Sequence, residues 1–77
     1  MIKAYILIVA NPGETKAVYD SLSKVKGVTQ AFQVMGPYDI VAEIEVEDLA
    51  DIPPILSEHI RTIEGVENTT SLVTFPE

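Results

Sequence analysis

Apolar and polar positions along this chain follow two alternating rhythms. Residues 2–10 contain Tyr5-Ile6-Leu7-Ile8-Val9-Ala10, a continuous apolar run. Such a run fits a strand with both faces covered. Asn11-Pro12-Gly13 breaks it, and Asn11 with Pro12 suits a helix entry. Spacing then becomes helical. Val18, Leu22 and Val25 fall at i, i+4 and i+7 with Ala17 beside them, which predicts a helix from about Glu14 to Val25. Gly27 is its left-handed stop. A second strand is expected over residues 28–35, a turn at Gly36-Pro37, and a third strand over residues 38–46. In that third strand Ile40, Ala42, Ile44 and Val46 alternate with Val41, Glu43 and Glu45. Asp51 is the expected cap of a second helix, with Pro53 and Pro54 in its first turn, where their missing N–H groups have no helical partner anyway. Ile52, Leu56, Ile60 and Ile63 form its core stripe and Gly65 ends it. Residues 66–75 read as the last strand, closed by Pro76.

One segment occurs twice. Val25-Lys26-Gly27-Val28 recurs 38 residues later as Ile63-Glu64-Gly65-Val66. Each copy ends a helix pattern and opens a strand pattern, so the chain is two copies of a β-α-β half. Right-handed crossovers in both halves give a four-stranded antiparallel sheet of order 4-1-3-2 with two helices on one face. This is an α+β, ferredoxin-like β-α-β-β-α-β domain covering residues 1–77. Strands one and three are then central, in agreement with their apolar character.

That arrangement leaves one sheet face without helices. Either Tyr5, Leu7 and Val9 or Ile6, Ile8 and Ala10 must point to it, with Val41 and either Phe32 or Ala31 adding to it. An apolar face of several hundred Å² is rarely left to water. A second copy of the sheet, packed face to face about a two-fold axis, is the natural cover, as in a dimeric α/β barrel. Size argues the same way. At 77 residues the chain is close to the length at which a domain buries only about 60% of its unfolded surface.

Composition narrows the functional classes. The chain is 47% hydrophobic and 22% charged, which is globular rather than disordered. With no cysteine there are no disulfides or thiolate metal sites. No apolar run reaches the roughly 18 residues of a membrane span, and Met1-Ile2-Lys3-Ala4 enters a strand directly, so a cytoplasmic protein is expected. Net charge is −7, and the basic residues are Lys3, Lys16, Lys24, Lys26 and Arg61. Direct nucleic-acid binding, which needs a basic face, is not expected. Asp39, Glu43, Glu45, Glu47, Asp48 and Asp51 follow no cation-loop spacing and read as a solvated edge.

Catalytic and metal residues are not apparent. His59 is the only histidine and borders the second helix stripe. The serines lack a neighbouring base in any motif, and the glycines form no phosphate-cradling pattern. The turn Gly36-Pro37-Tyr38-Asp39 is the better candidate. Its glycine, fixed φ, aromatic ring and carboxylate suit a zwitterionic amino acid. The N–H groups of Tyr38 and Asp39 would receive a carboxylate and the Asp39 side chain an ammonium group. The same residues also suit a plain hairpin turn in which Asp39 satisfies its own backbone.

Three motifs, in this order, resemble the effector-binding domain of the Lrp/AsnC family of transcription regulators, often called the RAM domain. They are Gly27-Val28 at the start of strand two, the G-x-Y-D turn Gly36-Pro37-Tyr38-Asp39, and a closing G-V-x-x-T-x-T pattern in Gly65-Val66-Glu67-Asn68-Thr69-Thr70-Ser71. Ser71 replaces the second threonine but keeps a hydroxyl, and Pro37 stands where relatives often have a polar residue. The amino-acid-binding ACT domain shares the topology, and the G-x-Y-D turn argues against it.

The resemblance implies sheet-paired homodimers assembled into rings, commonly octamers, with amino acids or similar metabolites bound in clefts between dimers. It implicates Gly36, Tyr38 and Asp39 as ligand-binding residues, and Thr69 and Ser71 as an extension of them. With no catalytic or metal residues apparent, no cofactor and no catalysis are expected. Full-length relatives carry an N-terminal helix-turn-helix, whereas this chain opens at strand one. It is therefore expected to be a stand-alone version acting through its oligomeric state or by joining DNA-binding relatives. Two other readings stay open: a small dimeric α/β barrel enzyme anchored by His59, and a purely structural assembly subunit.

Overall fold

The computed structural model describes residues 1–75. Pro76, the expected end of the last strand, lies outside the described residues. The elements are β1 (Ile2–Ala10), α1 (Thr15–Leu22), β2 (Val28–Gln33), β3 (Ile40–Val46), a composite helical segment α2 (residues 49–60) and β4 (Val66–Val73). Their sheet order is β2-β3-β1-β4, which is 4-1-3-2 read from the other edge. β1 pairs antiparallel with both β3 and β4, and β2 pairs antiparallel with β3. The fold is the expected ferredoxin-like one.

The strand register decides which β1 face is covered. Ala4, Ile6, Ile8 and Ala10 are buried, together with Ile40, Ala42, Ile44 and Val46 of β3. Val18 and Leu22 of α1 and Ile52 and Ile60 of α2 complete this core, and Val25, Leu56 and Ile63 pack against it half-buried. The larger fully buried side chains, Ile6, Ile8, Val18, Leu22, Ile40, Ile44 and Ile60, are under 2% exposed, and each contributes roughly 1.5–3 kcal/mol by burial. Tyr5, Leu7 and Val9 therefore occupy the helix-free face, where they are half-buried. Leu7 lies opposite Val41, and Val41 opposite Phe32, so Phe32 joins the open face. Ala31 lies opposite Ala42 on the helix side. Leu72, opposite Tyr5, extends the open face onto β4, and Phe32 and Leu72 are 52% and 53% exposed.

The sequence repeat is a repeat of geometry. Gly27 and Gly65 both adopt φ +101°. In one copy Val25 N–H donates to Leu22 O (3.1 Å) and Val28 N–H to Val25 O (3.2 Å). In the other Ile63 N–H donates to Ile60 O (3.1 Å) and Val66 N–H to Ile63 O (3.2 Å). Both helices thus leave through the same tightened turn and a left-handed glycine.

Several boundaries differ from expectation. α1 stops at Leu22 rather than Val25, because the Lys24 and Val25 N–H groups already donate in turn-like fashion to Ser21 O and Leu22 O. β2 stops at Gln33 and β3 starts at Ile40, which leaves a longer connection over residues 34–39. β4 ends at Val73.

In the second half, α2 is composite: a 3₁₀ turn Leu49–Asp51, an α-turn Ile52–Pro54 and a π-helical turn Ile55–Ile60. Its cap is Asp48 rather than Asp51. Asp48 Oδ1 accepts from Ala50 N–H (3.1 Å), while Asp51 Oδ2 reaches back to Asp48 N–H (3.3 Å) in a capping box. Pro53 and Pro54 donate no N–H, so the first turn closes through the tighter 3₁₀ bonds instead. In the π turn Arg61 N–H donates to Leu56 O (2.8 Å), and Ile55 joins Leu56 as a half-buried contact to the core.

Candidate functional site

The β2–β3 connection is anchored at its two ends and exposed in the middle. Val34 N–H donates to Asp39 O (2.9 Å), and Asp39 N–H donates to Ile8 O (2.9 Å), which prolongs the β3–β1 ladder by one step. The Asp39 carboxylate then turns to β1, where Oδ2 accepts from Ala10 N–H at 2.8 Å. Asp39 does satisfy backbone, but that of β1 rather than its own turn. Its N–H is committed to Ile8, so of the two N–H groups expected to meet a ligand only that of Tyr38 lacks a partner among the described residues. The second carboxylate oxygen accepts no bond among the described residues.

Tyr38 spans the open face. Its hydroxyl donates to Thr70 Oγ1 at 3.3 Å, although β1 lies between β3 and β4. Gly36 and Pro37 are exposed at the tip, with Gly36 at φ +142°, a conformation that residues bearing a Cβ rarely adopt. The loop is therefore held by three anchors, Val34, Tyr38 and Asp39, and presents Gly36 to solvent.

The two hydroxyl residues expected to extend the site sit apart from Tyr38. Thr69 and Ser71 lie opposite Ile8 and Ile6, on the helix side of β4. Thr70 between them, passed over in the T-x-T pattern, is the one that meets Tyr38. Thr69 Oγ1 accepts from Arg61 Nε at 3.0 Å. Arg61 was legible only as one of five basic residues, although it is the sole arginine. Thr69 and Asp39 both lie at the end of the sheet where β1 finishes, on opposite flanks of that strand.

Other polar groups have structural partners. Glu43 takes Thr29 Oγ1 (2.9 Å) and approaches Lys3 Nζ (3.8 Å). Among the described residues no group of three His, Cys, Asp or Glu side chains is placed to hold a metal ion. His59 is exposed on the π turn and borders a cavity of about 390 Å³ with Lys26, Glu45 and Asp51, away from the β2–β3 loop. Among the described residues no helix is long and apolar enough to cross a membrane.

These features coincide with known proteins. An uncharacterized HTH-type transcriptional regulator of Pyrococcus horikoshii is 32% identical over 74 residues, covering 95% of this chain and 47% of the regulator. Homocitrate synthase of Sulfurisphaera tokodaii is 40% identical over 60 residues, covering 77% of this chain and 13% of the enzyme. The chain thus spans about half the length of that regulator and a small part of the synthase. Among solved structures, a Thermus thermophilus protein superimposes with a TM-score of 0.95 at 30% identity, over 100% of this chain and 96% of that one. A transcriptional regulator of Neisseria meningitidis, solved as a complex with L-Met, has the same fold, with a TM-score of 0.86 at 17% identity over 99% of this chain and 51% of the regulator. The Lrp/AsnC ligand binding domain matches residues 3–77. By that match, and by the G-x-Y-D loop and double β-α-β sheet described above, the chain belongs to the Lrp/AsnC ligand-binding domain family.

Proposed function

We propose that this chain is an amino-acid-responsive binding and assembly module. The observation that carries the reading is the loop over residues 34–39. It is clamped through Asp39 to Ala10 and through Tyr38 to Thr70, while Gly36 and the free Tyr38 N–H remain available to a ligand. A loop held in place before binding loses less entropy when a ligand arrives. Gly36, Tyr38 and Asp39 contact the effector, and Thr69 and Ser71 face it from a neighbouring subunit. The L-Met complex of the Neisseria meningitidis regulator, a protein of the same fold, supports an amino acid as the ligand class.

The open face of Tyr5, Leu7, Val9, Val41 and Phe32 pairs two copies, and dimers associate into a ring such as an octamer. Effector bound between dimers links occupancy to assembly. The output is read by DNA-binding relatives that share the ring. Calorimetry and native mass spectrometry across a panel of amino acids test this reading. The expected result is saturable heat for at least one amino acid, accompanied by a change in assembly. No heat and no change across the whole panel overturns it.

The match to homocitrate synthase favours a second output. A stretch similar to this chain there forms a small part of an enzyme, which supports an output other than DNA binding. On that reading the partner is a biosynthetic enzyme. Co-purification of such an enzyme whose activity then responds to the effector separates it from the first.

A further inference from the structure

We propose that the free edge of β2 is an interface between copies of this chain: two β2 strands pair antiparallel about a two-fold axis, Phe32 against its own counterpart, and join two sheets into one. The proposal rests on the assembly reading above and supplies a contact between dimers.

β2 lies at one end of the sheet order. Its outward groups follow from the ladder. Val34 N–H donates to Asp39 O, so Val34, Phe32 and Gln30 turn their backbone groups toward β3. Those of Ala31 and Gln33 point away from the sheet. Such an edge is a template for another strand unless charge, proline or a bulge blocks it. The β4 edge is blocked. Ala10 pairs with Val66 and Val9 with Asn68, which leaves Glu67 in a bulge, and Arg61 is bound to Thr69 at 3.0 Å. The register shift of β2 falls between Val28 and Gln30, ahead of Ala31 and Gln33. Residues 27–38 carry no charge, although 22% of the chain is charged. Phe32, Val34 and Met35 are all exposed, Met35 at 99%.

The occupant that fits this edge is a second β2. Two chains of net charge −7 repel each other, and here they meet with no charge against charge. A two-fold axis at Phe32 makes an aromatic cross-strand pair on the open face, an arrangement that stabilises sheets. The same register sets Ala31 opposite Gln33 of the second copy, and both symmetry-related pairs exchange their N–H···O bonds. Val34 and Met35 then lie against Gln30 and Thr29 of the second copy. Gln33 is on the helix side, opposite Ile40 of β3. It enters a cavity of about 180 Å³ between α1 and β2, whose polar lining is Tyr19, Ser23, Thr29 and Gln30. An amide both donates and accepts, which suits those hydroxyls. Bonds this few add to the face pairing without replacing it.

The test combines amide exchange by NMR on the full ¹⁵N-labelled chain with sedimentation velocity. Thr74 N–H donates to Lys3 O, so Ser71 and Val73 face outward on the β4 edge and serve as internal controls. After correction for intrinsic rates, the Ala31 and Gln33 amides are expected to exchange at least about tenfold more slowly than these controls, the protection given by one net hydrogen bond. In a mixture of ¹³C-labelled and unlabelled chains, isotope-filtered NOEs should connect Ala31 of one copy to Gln33 of the other. Face pairing cannot produce them, because both residues lie on the helix side. Q33P removes an outward N–H, and Q33E adds charge while keeping every backbone group. Each is expected to stop the assembly at two copies. The proposal is overturned if the two edges exchange alike, if no such NOE appears, or if folded Q33P and Q33E both keep the wild-type size. Edges that exchange alike beside a monomeric L7K remove the edge contact and leave the face pairing. Protected Ala31 and Gln33 in an L7K chain that still assembles support the edge and count against the face.

Discussion

Asp39 and Ala10, 29 positions apart, are joined by a hydrogen bond from the Ala10 N–H to the Asp39 carboxylate at 2.8 Å. The bond ends the β1–β3 ladder with a side chain in place of a strand residue, and it ties the candidate loop to the central strand. One oxygen of the carboxylate therefore has a structural task, and the other accepts no bond among the described residues. This division sets the first prediction.

Asp39→Ala leaves a partly buried N–H without its partner, so stability should fall by about 1–3 kcal/mol. Asp39→Asn keeps an acceptor and should lose less, while removing the charge that an ammonium group needs. Urea denaturation beside amino-acid titration separates the two roles. Unchanged affinity in Asp39→Asn would remove the carboxylate from the binding site.

The bond between Tyr38 and Thr70 is longer, at 3.3 Å, and joins two neutral groups. Tyr38→Phe should cost about 0.5–1.5 kcal/mol. A double-mutant cycle with Thr70→Val should show coupling of similar size. Independent, additive losses would mean that the hydroxyls do not hold the loop.

Charge on the open face should separate subunits. Leu7 sits on β1 directly between Val41 and Thr70, with Phe32 beyond Val41. Leu7→Lys should convert the assembly to monomer by sedimentation velocity. An unchanged oligomer would place the interface elsewhere.

The paired glycines share a backbone angle but not their surroundings. A Cβ at Gly65 would lie 2.5 Å from Glu14 Oε2 and 3.0 Å from Val18 Cγ2, whereas at Gly27 the nearest atom is Ile55 Cδ1 at 3.3 Å. Both alanine variants carry backbone strain of about 1–3 kcal/mol. Gly65→Ala adds crowding of about 1–3 kcal/mol. Thermal unfolding should rank Gly65→Ala clearly below Gly27→Ala, and equal losses would contradict the packing difference.

Local chemistry was readable wherever near neighbours decide the outcome. The apolar run of β1, the recurring glycine after each helix and the two β-α-β halves are properties of short stretches, and the handedness of crossovers turns them into a sheet order. The G-x-Y-D loop was legible for the same reason. Its bonds to Ile8 and Ala10 were not, because they join residues far apart in the chain.

What tertiary structure alone decided depends on register and pitch. Alternation along β1 permits either face to be covered, and pairing of Leu7 with Val41 settled that Tyr5, Leu7 and Val9 stay open. Helical spacing in α2 was plain, but a 3₁₀ start and a π turn arise from two prolines without N–H groups and the fit of Ile52 and Ile60 to the sheet. The T-x-T pattern names alternate residues, yet a bulge at Glu67 and the place of β4 beside β1 gave Thr70 to Tyr38 and Thr69 to Arg61. Sequence determined which elements form and in what order they pair. Which side chains meet was left to register, since a shift of one residue exchanges the two faces of a strand.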